Sequence, residues 1–387
     1  MMSPIKIGFL TPYSGIYPSY SDHLMAGILL GLYPSAINQT EFQFVPVYSR
    51  FGDIKGTADA VEKLIFFDRV DIVSGLISYR AVPAILPEIE RHHKLGFFFD
   101  MGEYIPYFEQ LSQRIFYSSQ QIWQSQYALG YWAQKEFGGI CHMVMPIYEA
   151  GYHLSSAFHK GAEAAGATQT VLNVLPYDPE NGQSLVLDKF FDELIKNPPT
   201  FVHAVFAGNM ANQFLAAWRD SRFYHTIPLT VVENMVYEDV LSAVVHLDME
   251  LYAAASWSRS SENARNVEFV KRYETSGGQL ANIYGLLGYE AGLALKEVKP
   301  YLLKRDWDSV ATLLQKESVN GPRGERNFYP LSGFSLPVID ILKIRTSAKK
   351  IFKTVISRGT GLKFDSPEFK SIHDGCVSGW QNPYLCI

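Results

Sequence analysis

The sequence predicts an α/β protein of two Rossmann-like lobes with parallel sheets, joined by a multi-strand hinge. Three observations carry this reading. Short apolar runs alternate with amphipathic stretches along most of the chain. The runs are apolar throughout, the pattern of strands covered on both faces of a parallel sheet. The alternation breaks after "LGFFFDM" and restarts near Trp123, so the 387 residues divide between about two cores.

The first series opens with "IKIGFLTPYSG", a buried-type strand ending in a turn. "SDHLMAGILLGL" follows, with Leu24, Met25, Ile28, Leu29 and Leu32 at helical spacing. The strands "FQFVPVY", "VDIVSGL" and "LGFFFDM" then alternate with helices over "GTADAVEKLIFFD" and Ala81–His92. In the second series, helices over Trp123–Phe137, Tyr152–Ala165, Leu185–Lys196 and Ala211–Asp220 alternate with "ICHMVM", "QTVLNVL", "FVHAVFAG" and "IPLTVVEN". The remainder holds the strand "ELYAAASW", helices over Asn263–Thr275, Ile283–Lys296 and Trp307–Gln315, the Gly- and Pro-rich "NGPRGERNFYP", and the strand "FSLPVIDILKI". It is too helical for a third sheet and is expected to complete the other two. This puts residues 1–121 and 255–329 in lobe 1, and 122–254 and 330–387 in lobe 2. A chain that crosses more than once between lobes makes a hinge.

Composition narrows the function. At 47% hydrophobic and 19% charged residues the chain is globular. A net charge of −5 without a basic block argues against nucleic acid as a partner. The 23 tyrosines suit ligand clefts and cores alike. No apolar run reaches the ~18 residues of a membrane span. The opening "MMSPIKIGFLTPY" lacks the basic and apolar regions of a signal peptide. Either the chain is cytoplasmic, or a signal was removed and a starting Met added, which fits the doubled Met1-Met2.

Cys141 lies in a strand-like run and reads as a buried thiol. Cys376 and Cys386 bracket a loop that a disulfide could close, and a bridge would imply an oxidising compartment; free thiols are the equal alternative. Asn38-Gln39-Thr40 matches a glycosylation sequon, a pattern that also recurs by chance.

There is no P-loop, no strand–GxGxxG–helix unit, no GxSxG elbow, no HExxH and no CxxC. His153 and His159 stand six apart, poor spacing for two ligands on one helical face, so neither metal nor cofactor is expected. Polar groups gather where strands end: Ser78 and Tyr79, then Gly102, Glu103 and Tyr104, then Tyr148 and Tyr152, then Asn209 and Met210, then Glu233 and Asn234. Ligands of open parallel sheets bind outside the carboxyl ends of strands. Each position alone is more often a cap or a turn than a contact, so it is their joint placement that counts.

The residues "IKIGFLTPYSGIYPSY", "KGTADAVEKLI", "VDIVSGLISYRAVPAILP", "GFFFDMGEY", "AGYHLSSAFHKGAEAAGA", "YGLLGYEAGLAL", "NGPRGERNFYP" and "WQNPYLCI" resemble, in order and spacing, the type I periplasmic binding proteins. The likeness is to the leucine/isoleucine/valine-binding family that serves ABC transporters. The chain is also similar to the cytoplasmic amide sensor of the same group.

This resemblance implies a ligand carboxylate held by a serine after the third strand, here Ser78 or Tyr79, and by a small polar turn after the fourth, here Gly102, Glu103 and Tyr104. The small residues usual at that turn are replaced by an acid and an aromatic. That points away from a plain α-amino acid and toward an amide, a cationic or an aromatic ligand. The resemblance places the ammonium-binding acid at Glu233, tyrosines at Tyr148 and Tyr152, a capping aromatic at Tyr20 and a further candidate at Trp257.

The implied function is reversible binding without chemistry in an interlobe cleft. The partner is then an ABC transporter permease, with the protein periplasmic, or a regulatory protein if it is a cytoplasmic sensor. A monomer or weak dimer is expected. A cleft enzyme is the rival reading, and it lacks a visible nucleophile–base pair.

Overall fold

The computed structural model describes residues 3–33, 41–106, 112–176, 185–277, 279–316, 319–328, 332–347, 349–359, 361–376 and 379–386. The sequon at Asn38 lies outside them. The chain forms two compact units. One is Met1–Gln121, Trp257–Pro337 and Gln381–Ile387; the other is Ile122–Ser256 and Val338–Trp380. The chain therefore passes from one to the other four times. Residues 330–337 and 381–387, expected in the second lobe, group with the first unit.

In the first unit, β1 (Ile5–Thr11), β2 (Phe42–Tyr48), β3 (Ile72–Leu76), β4 (Leu95–Asp100) and β5 (Ile115–Ser119) form a parallel sheet in the order β2-β1-β3-β4-β5. Every residue of β3, β4 and β5 is buried, which is why β3 and β4 read as continuous apolar runs. β5, "IFYSS", escapes that pattern because its serines are buried with partners; Ser118 Oγ donates to the Leu287 carbonyl at 2.8 Å.

The helices α1 (Tyr20–Leu32), α2 (Ile54–Phe66) and α3 (Val82–Arg91) follow the first three strands in turn, α1 after β1, α2 after β2 and α3 after β3. Asp53 caps α2 by accepting from the Gly56 N–H at 2.6 Å. Among the described residues this unit also holds α9 (Ala264–Gly277), α10 (Ile283–Glu297), α11 (Lys299–Lys304) and α12 (Trp307–Lys316). α10 packs along α1 at backbone distance. A Cβ on Gly288 would stand 2.1 Å from the Leu24 carbonyl oxygen, and one on Gly27 would stand 2.3 Å from that of Gly285. Only glycines allow this crossing.

The Gly- and Pro-rich stretch "NGPRGERNFYP" and the Val319 before it form a hairpin of β11 (Val319–Gly321) and β12 (Gly324–Arg326). Its anchor is not local. The buried Glu290 carboxylate on α10 accepts from Arg323 Nε at 2.9 Å and Nη2 at 2.5 Å, and from Arg326 Nη1 at 2.6 Å. The two guanidiniums hold the Glu290 carboxyl below its usual range against the burial that pushes it up.

In the second unit, β6 (Cys141–Pro146), β7 (Thr170–Leu175), β8 (Phe201–Ala204), β9 (Leu229–Val231) and β10 (Glu250–Ala255) pair in parallel in the order β7-β6-β8-β9-β10. β13 (Asp340–Ser347) and β14 (Lys350–Arg358) extend this sheet antiparallel beyond β10. β14 is an exposed edge carrying Lys350, Lys353 and Arg358, the charged dressing of a protected edge, and its lack of an apolar run hid it. The helices here are α4 (Ile122–Phe137), α5 (Leu154–Ala164), α6 (Asp188–Lys196), α7 (Gly208–Asp220), α8 (Glu238–Ala243) and α13 (Pro367–Asp374).

The two parallel sheets share one strand order, the second repeating the first with every number raised by five. In each, the order reverses beside the first strand, between β1 and β3 and between β6 and β8. Such switch points open a crevice at the strand ends. All three cysteines are free, so the bridge between Cys376 and Cys386 is not made. Cys386 is buried within the first unit, whereas Cys376 belongs to the second. Among the described residues no helix is long and apolar enough to cross a membrane.

Candidate ligand-binding site

The first unit gathers six of its seven expected positions on one edge, in the turns that follow β1, β3 and β4. Tyr20 opens α1, with its hydroxyl donating to the Pro12 carbonyl at 2.7 Å and its ring 5.7 Å from that of Tyr284. Burial pushes its phenol far above the ordinary range.

Ser78 is fully buried and caps the short 3₁₀ turn Tyr79–Ala81; its Oγ accepts from the Arg80 N–H at 3.4 Å. That bond is long, so the hydroxyl's remaining lone pair and its proton stay in reach of a further partner. Tyr79 packs against Tyr117 and Phe334, with centroids 5.8 and 5.9 Å away. The Arg80 guanidinium lies 5.6 Å from the Tyr104 ring centroid.

The turn after β4 is set by Gly102. Its φ is +73° and a Cβ there would stand 2.2 Å from the Gln121 Cα, so only glycine fits. The turn buries two acids side by side, Asp100 and Glu103. Burial raises the Asp100 pKa, and hydrogen bonds from the Ser119 hydroxyl and the Gly102 N–H hold part of the rise back. Burial also pushes Glu103 well above the usual carboxyl range, and the neighbouring Asp100 adds to it. Neither Glu103 oxygen has a protein donor in hydrogen-bonding geometry. The backbone N–H groups of Glu103 itself, Tyr384 and Met101 lie close enough to draw the pKa partly back. The pair keeps its protons to higher pH than ordinary carboxyls do, and a protonated Glu103 can donate as well as accept.

Trp257, the seventh position, follows β10. Its indole N–H donates to Asn266 Oδ1 at 2.7 Å and its ring packs 6.2 Å from Phe269. Asn266 in turn donates to the carbonyls of Arg259 and Ser261 at 3.1 and 2.9 Å, so Trp257 belongs to the latch that starts α9.

In the second unit, Tyr148 and Tyr152 follow β6 at the switch point. The Tyr152 hydroxyl donates to that of Tyr148 at 2.6 Å, with the rings edge to face at 5.3 Å. The Trp380 indole N–H donates to the Tyr148 carbonyl at 2.6 Å. Asn209, exposed, and Met210, half-buried, lie in the first turn of α7 beyond β8.

Glu233, after β9, is 1% exposed and already well provided with donors. One oxygen accepts from Ser125 Oγ at 2.6 Å; the other accepts from the Ser256 N–H at 2.9 Å and Oγ at 3.0 Å. Two polar residues of these turns escaped the sequence reading, Ser14 and Asp100, both buried. Ser14 had a local signal, as the polar residue of the "TPYSG" turn at a strand end.

A family model described as periplasmic binding protein matches residues 4–333. The chain belongs to this family. No curated protein sequence matches the chain significantly. Solved structures do share the fold of this periplasmic binding protein. An ABC transporter substrate-binding protein from Sphaerobacter thermophilus superposes with a TM-score of 0.78 at 18% identity, over 92% of this chain and 97% of that one. A solute-binding protein of an ABC transporter from Rhodopseudomonas palustris BisB5, in complex with 3,4-dihydroxybenzoic acid, gives 0.75 at 18% identity, over 93% and 98%. A branched-chain amino acid ABC transporter periplasmic ligand-binding protein from Burkholderia xenovorans LB400 gives 0.71 at 15%, over 92% and 95%.

Proposed function

We propose that this periplasmic binding protein captures a small metabolite, reversibly and without chemistry, at the strand-end turns described above, and delivers it to an ABC transporter. The observation that carries the reading is the repeated strand order, with hydroxyls at the switch point of each sheet and acids at strand ends further along it. In the first unit the contacts are Tyr20, Ser78, Tyr79, Gly102, Glu103 and Tyr104. In the second they are Tyr148, Tyr152, Asn209, Met210 and Glu233.

The ligand class follows from Glu103. A buried carboxyl with a raised pKa and no protein donor in good hydrogen-bonding geometry suits a group that both gives and takes hydrogen bonds, such as an amide or a phenol, and disfavours a bare ammonium–carboxylate pair. An aromatic or amide metabolite is therefore favoured over a branched-chain amino acid. The neighbour holding 3,4-dihydroxybenzoic acid is in keeping with this. The second reading, a cytoplasmic ligand sensor, is favoured by the three free thiols.

The test is a thermal-shift panel of 4-hydroxybenzoate, 3,4-dihydroxybenzoate, benzamide, acetamide and leucine, with each compound recovered and weighed by mass spectrometry. A bound compound at a hundred times its Kd stabilises by about 2.7 kcal/mol. Stabilisation by an aromatic or amide probe, recovered unchanged, supports the proposal. Conversion to product, or no stabilisation by any probe, overturns it.

A further inference from the structure

The buried cluster that anchors the β11–β12 hairpin is unbalanced in charge. Two guanidiniums, those of Arg323 and Arg326, meet one carboxylate, that of Glu290, and the three side chains are only 2%, 9% and 8% exposed. One positive charge is left over, in an interior where an uncompensated charge is costly. Each nitrogen of the Arg323 guanidinium is engaged: Nε and Nη2 donate to Glu290, and Nη1 donates to the Ser119 carbonyl at 3.1 Å. Both Glu290 oxygens are occupied as well, one by the Arg323 N–H and Nε at 3.3 and 3.1 Å, the other by Arg323 and Arg326 together. Arg326 is the less complete partner. Its Nη1 donates to Glu290 at 2.6 Å and its Nη2 donates to the Ser335 hydroxyl, but its buried Nε has no acceptor among the described residues.

Arg326, Glu290 and Ser335 line a cavity of about 20 Å³ within the first unit, with Tyr117, Val319 and Phe328 as further walls. That volume takes one water-sized guest and is too small for sulfate, phosphate or a carboxylic acid. Ser335 Oγ accepts from Arg326 and so keeps its own proton to give. A buried donor without an acceptor marks the place of an ordered water or an ion, and here the surplus positive charge favours an anion.

We propose that this cavity binds one chloride ion, held by Arg326 Nε and the Ser335 hydroxyl. The ion neutralises the cluster and fastens α10, the end of β5 and the hairpin to the segment around Ser335. Gln121 Nε2 donates to the Ser335 carbonyl at 2.5 Å, and the chain leaves the first unit after Gln121 and after Pro337, so the ion also stiffens both departures. The site shares no residue with the strand-end turns proposed to take the metabolite and does not rest on that reading.

Two measurements on the full chain test it. The first is urea unfolding at constant ionic strength, with sodium chloride exchanged against sodium gluconate. Above the chloride Kd, each tenfold rise in chloride raises the wild-type folding constant about tenfold, as one site on the folded chain requires. Ser335→Ala, which removes one hydrogen bond to a charged group, needs about tenfold more chloride for the same gain. Arg326→Gln shows no gain, and Arg265→Gln, at an exposed surface pair, behaves as the wild type. A wild type indifferent to chloride overturns the proposal, as does a response in Ser335→Ala equal to that of Arg265→Gln. Should Arg326→Gln fail to fold, Ser335→Ala carries the comparison.

The second is anomalous diffraction from crystals soaked in sodium bromide. A bromide peak beside Arg326 Nε, together with the chloride-dependent stability, supports the site. Density there without an anomalous signal means a water and overturns it. A bromide peak in a protein whose stability ignores chloride is an adventitious ion only and overturns it likewise.

Discussion

Replacing Glu233 tests whether the acid at the end of β9 holds the second unit together as well as facing a ligand. Its carboxylate accepts from Ser125 Oγ, from the Ser256 N–H and from Ser256 Oγ, at 2.6, 2.9 and 3.0 Å. Ser125 sits on α4 and Ser256 directly follows β10, so one side chain ties three elements. In Glu233→Ala the two hydroxyls can turn to other acceptors. The Ser256 N–H, in a residue 6% exposed, cannot. An orphaned buried N–H costs about 1–3 kcal/mol, and the lost charge-assisted bonds bring the total to about 3 kcal/mol or more. In a cooperative domain of this size that lowers Tm by roughly 6–12 °C. Glu233→Gln keeps one acceptor oxygen, and Ser125 can reverse its hydroxyl, so its loss is about 1–2 kcal/mol. Differential scanning calorimetry of both variants decides. A Tm within 1 °C of wild type for Glu233→Ala would mean that these three bonds do not stabilise the fold.

Two further outcomes follow from the packing. Gly288→Ala puts a methyl group 2.1 Å from the Leu24 carbonyl oxygen and forces α1 and α10 apart; overpacking of roughly 1–3 kcal/mol exceeds the helix-propensity gain and lowers the urea midpoint, whereas an unchanged midpoint would disprove the close crossing. His203 is fully buried, stacked 3.7 Å from the Phe158 ring, with its pKa pushed down by burial to about 3. The unfolded chain therefore takes up the proton first as pH falls below about 6.5, and the stability tied to neutral His203 is lost between there and pH 3. The unfolding free energy of the wild type relative to His203→Gln falls by about 2–3 kcal/mol from pH 7 to pH 4.5 in urea titrations, while a flat difference contradicts a neutral buried imidazole. Asp100 and Glu103, whose raised pKa values act with the opposite sign, are common to both proteins and cancel.

The sequence was most legible where burial on both faces of a strand leaves an unbroken apolar run, as in "LGFFFD", and where strand ends carry polar residues, as at Ser78 and Glu103. It was least legible where a residue's role depends on distant partners. β5 was hidden because Ser118 and Ser119 are polar by type yet buried, one of them on a carbonyl of α10. The β11–β12 hairpin was hidden because its anchor, Glu290, is about 30 residues earlier. Glu233 stood out as a strand-end acid, but nothing local announced that Ser125 and Ser256 already use three of its lone-pair positions. No local pattern reveals the bond from Trp257 to Asn266.

The most direct measurement is calorimetric titration of 4-hydroxybenzoate and benzamide into the wild type and into Ser78→Ala, with the ligand recovered afterwards. Saturable binding of one of them to the wild type, weakened about tenfold or more in Ser78→Ala at unchanged Tm, with every molecule recovered intact, is the result predicted. Equal affinity in both proteins, or a recovered compound that has been altered, would contradict a ligand held without chemistry at the end of β3.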